Sequence, residues 1–231
     1  MKKLILLLIF APIVGCSPVY YVPNTQNVPA ITEKGQTNIS FGLNSSESTD
    51  GIEFQGAYGL TDKIAFQFNT DWPKYSDDSS NGSGHIIEFG PGYYKHLSEH
   101  FVFEIYGLIG FGGLKYEENN TNYQSIKANF FRIAAQPSIS FTSKYFIASF
   151  SNRISNLNYN SISGNYYDIE YLKANNSQWL FEPALTLQAG IKNIKLQLQY
   201  QHSINLTDSN FLQDYDFVSL GLKVNFNALK N

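Results

Sequence analysis

The chain is poor in cysteine, in charge and in long hydrophobic runs. Its 231 residues include one cysteine, which excludes an intramolecular disulfide. Charged residues make up 15% of the chain, below the roughly 25% of soluble domains. With 16 Lys and Arg against 19 Asp and Glu, there is no basic footprint for nucleic acid. No Gly-rich phosphate loop or metal-ligand cluster appears, so we expect no cofactor and no metal.

Beyond the N-terminus, no apolar run approaches the ~18 residues that a membrane-spanning helix requires. Aromatic residues nevertheless make up 16% of the chain, and apolar residues alternate with polar ones. If the protein spans a membrane, it therefore does so with strands.

The N-terminus has the features of a bacterial export signal. Lys2 and Lys3 precede an apolar segment, 4–15, whose length suits a signal peptide. The residues Ile13-Val14-Gly15-Cys16 resemble a lipobox, in which the cysteine is acylated and becomes the mature N-terminus. The alternative is an ordinary signal peptide followed by an unmodified cysteine. Cleavage would leave 14 basic and 19 acidic residues, a net charge of −5.

The sequence divides into three parts. Residues 1–15 are predicted to be the lipoprotein signal peptide, and residues 36–231 a β-barrel. Between them, residues 16–35 contain three prolines and no alternation, which predicts an extended tether in the periplasm.

Ten segments of the remaining chain alternate apolar and polar residues with the period of a strand. We therefore predict an all-β fold: a single antiparallel up-and-down transmembrane β-barrel of about ten strands, with eight to twelve as the range. The segments are 36–43, 51–60, 64–72, 85–95, 101–112, 127–141, 145–157, 178–190, 194–206 and 216–226.

The connectors alternate between short and long. Short turns at one rim and long polar loops at the other are typical of outer-membrane barrels, whose short turns face the periplasm. The even strand number and the tether then predict a periplasmic N-terminus. Pro91, Pro137 and Pro183 lie 46 residues apart, which indicates a repeated hairpin with a bulge at equivalent heights.

One face of each strand is apolar and carries no charge, whereas the other is polar. A charge on a lipid-facing surface costs about 2–4 kcal/mol at mid-bilayer, so we expect the apolar face to point outward. The polar face would then line the lumen, where charges must pair or meet water. We predict a lumen network of cross-strand ion pairs among Glu53, Glu88, Glu104, Arg132, Arg153, Glu182, Lys195 and Lys223.

The lipobox, the stretch "YYVPNTQNVPAITEKG" and the tight turn in "AYGLTDKIAFQF" resemble the small, lipid-anchored outer-membrane β-barrel proteins of Bacteroidota. The resemblance implies a bacterial outer-membrane location, anchored at Cys16. It also implies contacts with outer-membrane lipids, the barrel-insertion and lipoprotein-sorting machinery, and other envelope proteins.

The favoured function is non-enzymatic: a membrane-structural barrel or a narrow pore with a charged, largely plugged lumen. One alternative is a lipid-remodelling enzyme, because "QHSIN" (201–205) resembles part of the lipid A deacylase barrels. However, the adjacent His202 and Ser203 would face opposite sides of a strand. The other alternative is a lipid-tethered periplasmic barrel that binds an apolar ligand. His96 and His100 lie four residues apart in a turn and are not expected to bind metal.

Overall fold

The computed structural model describes residues 18–76, 80–118, 125–191 and 193–226. The predicted signal peptide and Cys16 lie outside these ranges. The described chain forms a closed antiparallel barrel of ten strands, β1–β9 and β11, which confirms the predicted fold. The first nine strands pair in chain order, β11 closes the barrel between β9 and β1, and the two-residue β10 pairs with β8. No helix of the described residues is long and apolar enough to cross a bilayer.

The strand bounds extend the predicted segments, most of all at one end of the barrel. Antiparallel pairing continues into the predicted loops, for example between Lys74 and Ser83 and between Lys115 and Lys127. There the pattern is reversed: inward side chains such as that of Ile126 are apolar and the outward ones are polar, so the predicted segments stop short of these ends. The strands are β1 (Thr37–Ser46), β2 (Asp50–Gly59), β3 (Ile64–Ser76), β4 (Ser80–His96), β5 (Phe101–Glu118), β6 (Ser125–Thr142), β7 (Phe146–Gly164), β8 (Ser177–Gly190), β9 (Ile194–His202), β10 (Ile204–Asn205) and β11 (Asp216–Phe226).

A short helix, α1 (Tyr166–Ala174), was not predicted. It lies in the connector between β7 and β8. Asn165 caps its N-terminus, because the Asn165 side chain accepts a hydrogen bond from the backbone N–H of Asp168 at 3.0 Å.

The two faces of the barrel have the predicted sidedness. Large apolar side chains point outward and remain exposed, such as Phe41 at 62% and Leu220 at 56%. The alternate positions point inward and are mostly polar at mid-barrel, where Arg132 and Glu88 have no exposed surface. This arrangement suits a barrel surrounded by acyl chains, because a barrel in water places its apolar side chains inside.

The two ends of the barrel differ. The short-turn end carries connectors 60–63, 97–100, 143–145 and 191–193, and here β1 begins. The long-connector end carries 47–49, 165–176 and 206–215.

The three prolines do not produce the predicted bulges. Each instead interrupts the ladder to one neighbour without changing its register; at Pro91, for example, pairing to β5 stops at Phe89↔Ile109 and resumes at Gly92↔Tyr106. Proline has no N–H to donate, which explains the gap.

Residues 20–31 correct the prediction of a free periplasmic tether. Every side chain from Tyr20 to Ile31 is buried except that of Val22, because these residues run through the inside of the barrel. We call residues 20–31 the lumen segment. It is extended, as predicted, but it is packed against the barrel wall rather than solvated.

Candidate functional site

The structure places all eight predicted lumen residues on the inside of the barrel, and each is at least 95% buried. It brings four of them together as a chain of ion pairs across neighbouring strands. Arg132 binds Glu88 through two nitrogens, at 2.7 and 3.0 Å. Arg153 binds Glu182 at 2.7 Å and also lies 3.5 Å from Glu88. These four residues, here called the charge quartet, cross the lumen wall from β4 to β8.

The charge quartet holds the lumen segment at two residues. Arg132 donates to the Tyr21 hydroxyl at 2.8 Å and to Asn24 Oδ1 at 2.5 Å. Tyr21 in turn donates to Glu182 at 2.7 Å, and the Asn24 amide donates to Glu88 at 3.0 Å. Buried charges need several polar partners. The segment supplies acceptors to Arg132 and donors to Glu88 and Glu182, and so completes the network.

Amide side chains of the wall replace the backbone partners that the lumen segment lacks. The Gln199 side chain accepts from the backbone N–H of Gln26 at 2.7 Å and donates to its carbonyl at 2.9 Å, as a neighbouring strand would. Gln136 donates to the carbonyl of Asn27, and Gln55 to that of Thr25, at 2.7 and 3.1 Å. The lumen segment is therefore held along its backbone without entering the sheet.

Glu53 and Glu104 form no ion pair with Arg or Lys among the described residues. Glu53 accepts from the Thr25 hydroxyl and lies near Asn44, whose amide also donates to Asp71 at 2.7 Å. Glu104 accepts from the backbone N–H groups of Ala30 and Ile31 at 2.9 and 3.0 Å.

A positive φ of 53° at Ala30 turns these two N–H groups toward one carboxylate. Successive N–H groups in such a conformation form an anion-binding concavity. On the same stretch, the Lys223 ammonium donates to the carbonyls of Val28 and Pro29 at 3.0 and 2.9 Å. Lys195 on β9 is buried beside its register partner Lys223 on β11 and is not part of the charge quartet.

At the long-connector end, Tyr20 anchors the lumen segment. Its ring stacks on Tyr171 of α1 with centroids 5.0 Å apart, and its hydroxyl donates to Asp168 at 2.7 Å. Its backbone N–H donates to the Leu212 carbonyl at 2.9 Å, and its own carbonyl accepts from the Tyr159 hydroxyl. Burial raises the pKa of Tyr171, which keeps this phenol neutral.

At the short-turn end, the other terminus of the segment packs into an apolar cluster. Ile31 is fully buried with Ala57, Ala65, Tyr94, Tyr106 and Leu108. Just beyond it, the Thr32 carbonyl lies 2.8 Å from Nε2 of His96, and Gly35 donates to the Gly59 carbonyl at 2.8 Å. The chain then turns into β1.

A cavity of about 600 Å³ lies above the quartet, at the long-connector end. Its floor includes Tyr20 and Tyr21, and its walls include residues from the outer parts of β3, β4 and β5. His85 and Lys115 are among the polar residues that line it.

The histidines do not assemble a nucleophile or a metal centre in the described ranges. His202 Nδ1 lies 2.9 Å from Asp216 on the outward surface, whereas Ser203 is buried inside and accepts from Gln213. His96 faces Thr32, while His100 packs on Phe141. No group of three or more His, Cys, Asp or Glu side chains in these ranges is placed to hold a metal ion.

Sequence reasoning found the wall side of this site and missed the lumen segment. One signal was present: residues 17–32 contain no charged side chain, although they are rich in Asn, Gln, Thr and Tyr. A solvated linker has no reason to avoid charge, whereas a segment inside a lumen that is already ionic gains from neutral donors and acceptors.

The comparisons with known proteins give no family and several barrel neighbours. No family model matches the chain, and no curated protein does. Among solved structures, a KdgM porin has 12% identity and a TM-score of 0.40, covering 82% of this chain and 99% of its own. An outer membrane channel from Pseudomonas putida F1 has 11% identity and a TM-score of 0.47, covering 87% and 100%. LpxR from Salmonella typhimurium has 7% identity and a TM-score of 0.42, covering 81% and 99%.

Proposed function

We propose that this chain is a non-enzymatic outer-membrane β-barrel lipoprotein of a bacterium, anchored by acyl chains on Cys16 and closed by its own lumen segment. Its role is membrane-structural rather than that of an open pore. The proposal includes contacts with outer-membrane lipids and with the insertion and sorting machinery. One observation carries the closed state: the charge quartet makes hydrogen bonds to Tyr21 and Asn24 in the middle of the lumen.

The closed state is favoured because withdrawing the lumen segment would break hydrogen bonds of both the segment and the barrel wall. Withdrawing the segment removes partners from Glu104, Arg132 and Lys223, all buried. Each lost hydrogen bond to a charged group is worth about 1.5–3 kcal/mol net. Water entering the lumen offsets part of this loss, but the bonds must break together.

The Cys16→Ala variant in detergent tests this proposal. We expect a compact band in unheated gels that shifts on heating, and no conductance steps in planar bilayers. A matched variant that also lacks residues 20–31 should keep the heat-shifted band and show discrete steps. Steps of the same size from both variants would contradict closure by the segment.

A narrow pore is the second candidate, and one part of the lumen favours it. The side-chain amides of Gln67 and Asn69 on β3 are buried and make no hydrogen bond to the described residues. Buried amides are normally satisfied by water, which favours a wet path beside the segment. Small, steady conductance that Gln67→Leu abolishes would support this candidate over a closed barrel.

The anchor and the lack of enzymatic activity need separate measurements. Intact-mass analysis of the membrane-extracted protein should show acyl chains that the Cys16→Ala variant lacks. Incubation with lipid A should release no fatty acid. Release that disappears in the His202→Ala variant would instead establish the lipid-remodelling alternative.

A further inference from the structure

The path of the lumen segment shows at which end of the barrel the described chain enters the lumen. Tyr20 lies among α1 and connector 206–215, both at the long-connector end. Thr32 lies beside His96, next to the short-turn end, where β1 starts. The chain therefore traverses the whole barrel before its first strand.

The length of the segment is sufficient for this passage. The twelve steps from Tyr20 to Thr32 reach at most about 40 Å when extended. The apolar band of such barrels is ~25 Å tall, which leaves slack for the turn at Ala30. Contacts occur at every level in between, from Tyr21 through Gln26 to Ile31.

The residues before Tyr20 cannot return through the same lumen. Below Tyr20, the segment and the wall side chains that bind it occupy the lumen at each level from Tyr21 to Ile31. Above it lies the cavity that Val19, Tyr20 and Tyr21 help to line. Among the residues that the structure describes, Val19 and Tyr20 face this cavity, which favours a course of the preceding chain away from the short turns.

We propose that the mature chain threads its own barrel from the cell surface inward, so that its N-terminal end lies outside the cell. This inference rests on the proposed outer-membrane location, in which short turns face the periplasm. It replaces the predicted periplasmic N-terminus. Acyl chains on Cys16 then belong to the outer leaflet, because the four steps from Cys16 to Tyr20 reach at most about 14 Å.

This topology gives the lipid anchor a consequence for closure. An anchor in the outer leaflet holds the segment at its upper end, while the continuous chain into β1 holds it at the lower end. The segment is then fixed at both ends and cannot leave the lumen toward either side. The hydrogen bonds between Tyr21 and Asn24 of the segment and the charge quartet are then maintained.

Cysteine labelling of intact cells with a membrane-impermeant maleimide tests the topology. Three full-length variants each add one thiol: Pro18→Cys before the segment, Ser209→Cys in connector 206–215, and Asp62→Cys in a short turn. The unmodified chain is the control, because an acylated Cys16 has no free thiol. We expect Pro18→Cys and Ser209→Cys to label in intact cells, and Asp62→Cys only after the outer membrane is permeabilised.

The outcomes separate the inference from the proposed function. Labelling of Ser209→Cys but not Pro18→Cys in intact cells would overturn the threading while leaving the barrel's orientation intact. Labelling of Asp62→Cys alone would show that the barrel has the opposite orientation. Labelling of none of the variants before permeabilisation would contradict an outer-membrane location. Labelling of the control in intact cells would support a surface N-terminus and contradict acylation.

A second measurement tests the topology independently, in case the Pro18→Cys variant misfolds. An epitope tag inserted between Ser17 and Pro18 should bind antibody on intact cells, with the heat-shifted band of the parent retained. A tag that is reached only after permeabilisation, in a barrel with that band, would overturn the proposal.

Discussion

Removing the guanidinium of Arg132 should have the largest effect of any single change in the lumen. The Arg132→Met variant keeps the apolar stem and loses four hydrogen bonds: two to Glu88, one to Tyr21 and one to Asn24. Glu88 keeps only the Asn24 amide at 3.0 Å and Arg153 at 3.5 Å. Both members of the original pair have no exposed surface.

Breaking a buried ion pair by removing one partner costs about 3–5 kcal/mol, because the remaining charge is left buried and poorly paired. We expect the free energy of unfolding to fall by this amount. Urea titration in detergent micelles, followed by the fluorescence of Trp72 and Trp179, measures it. The matched control is Ile133→Leu, the adjacent outward position, which should cost less than about 1.5 kcal/mol.

A double variant distinguishes stranded charge from lost packing. Adding Glu88→Gln to Arg132→Met removes the uncompensated carboxylate, while Arg153 keeps its 2.7 Å bond to Glu182. The double variant should therefore be more stable than Arg132→Met alone. A loss of less than about 1 kcal/mol in the single variant, or a double variant that is the less stable of the two, would contradict an uncompensated buried charge at Glu88.

Three further predictions concern other parts of the barrel. Glu104→Gln replaces two charge-assisted bonds to the lumen segment with neutral ones, a loss of about 2 kcal/mol that should raise the open probability in planar bilayers roughly 30-fold; an unchanged closed state would contradict it. Gly90→Ala should destabilise the barrel by about 1–3 kcal/mol in urea, because its Cβ would lie 1.8 Å from the Gly107 carbonyl oxygen, whereas Gly107→Ala meets no atom within 4 Å and should be neutral. Ile109→Arg should cost about 2–4 kcal/mol in vesicles and Tyr145→Arg about 0–1, since only the first lies mid-strand on the outward surface; equal costs would argue against a surrounding bilayer.

The strands of the barrel, their number and the face that points outward could be predicted from the amino-acid sequence alone. These are local properties: a side-chain period of two places Phe66 outside and Gln67 inside wherever the strand pairs. The eight charged lumen residues followed from the same period. The extended outer ends of β5–β7 did not, because there the inward side chains are apolar and the outward ones polar, the reverse of the pattern in the rest of the barrel.

The position of residues 20–31 and the pairing of the lumen charges could not be predicted in this way. The segment has no period of its own, and its partners are far away in the chain: Tyr21 binds Glu182 across 161 residues, and Asn24 binds Glu88 across 64. Cross-strand pairing alone would have matched the four glutamates with the four bases. The structure pairs only the charge quartet in this way, and it satisfies Glu104 and Lys223 with backbone groups of the segment. A buried charge takes whichever donors or acceptors the closed fold places within reach, and only the folded chain defines that set.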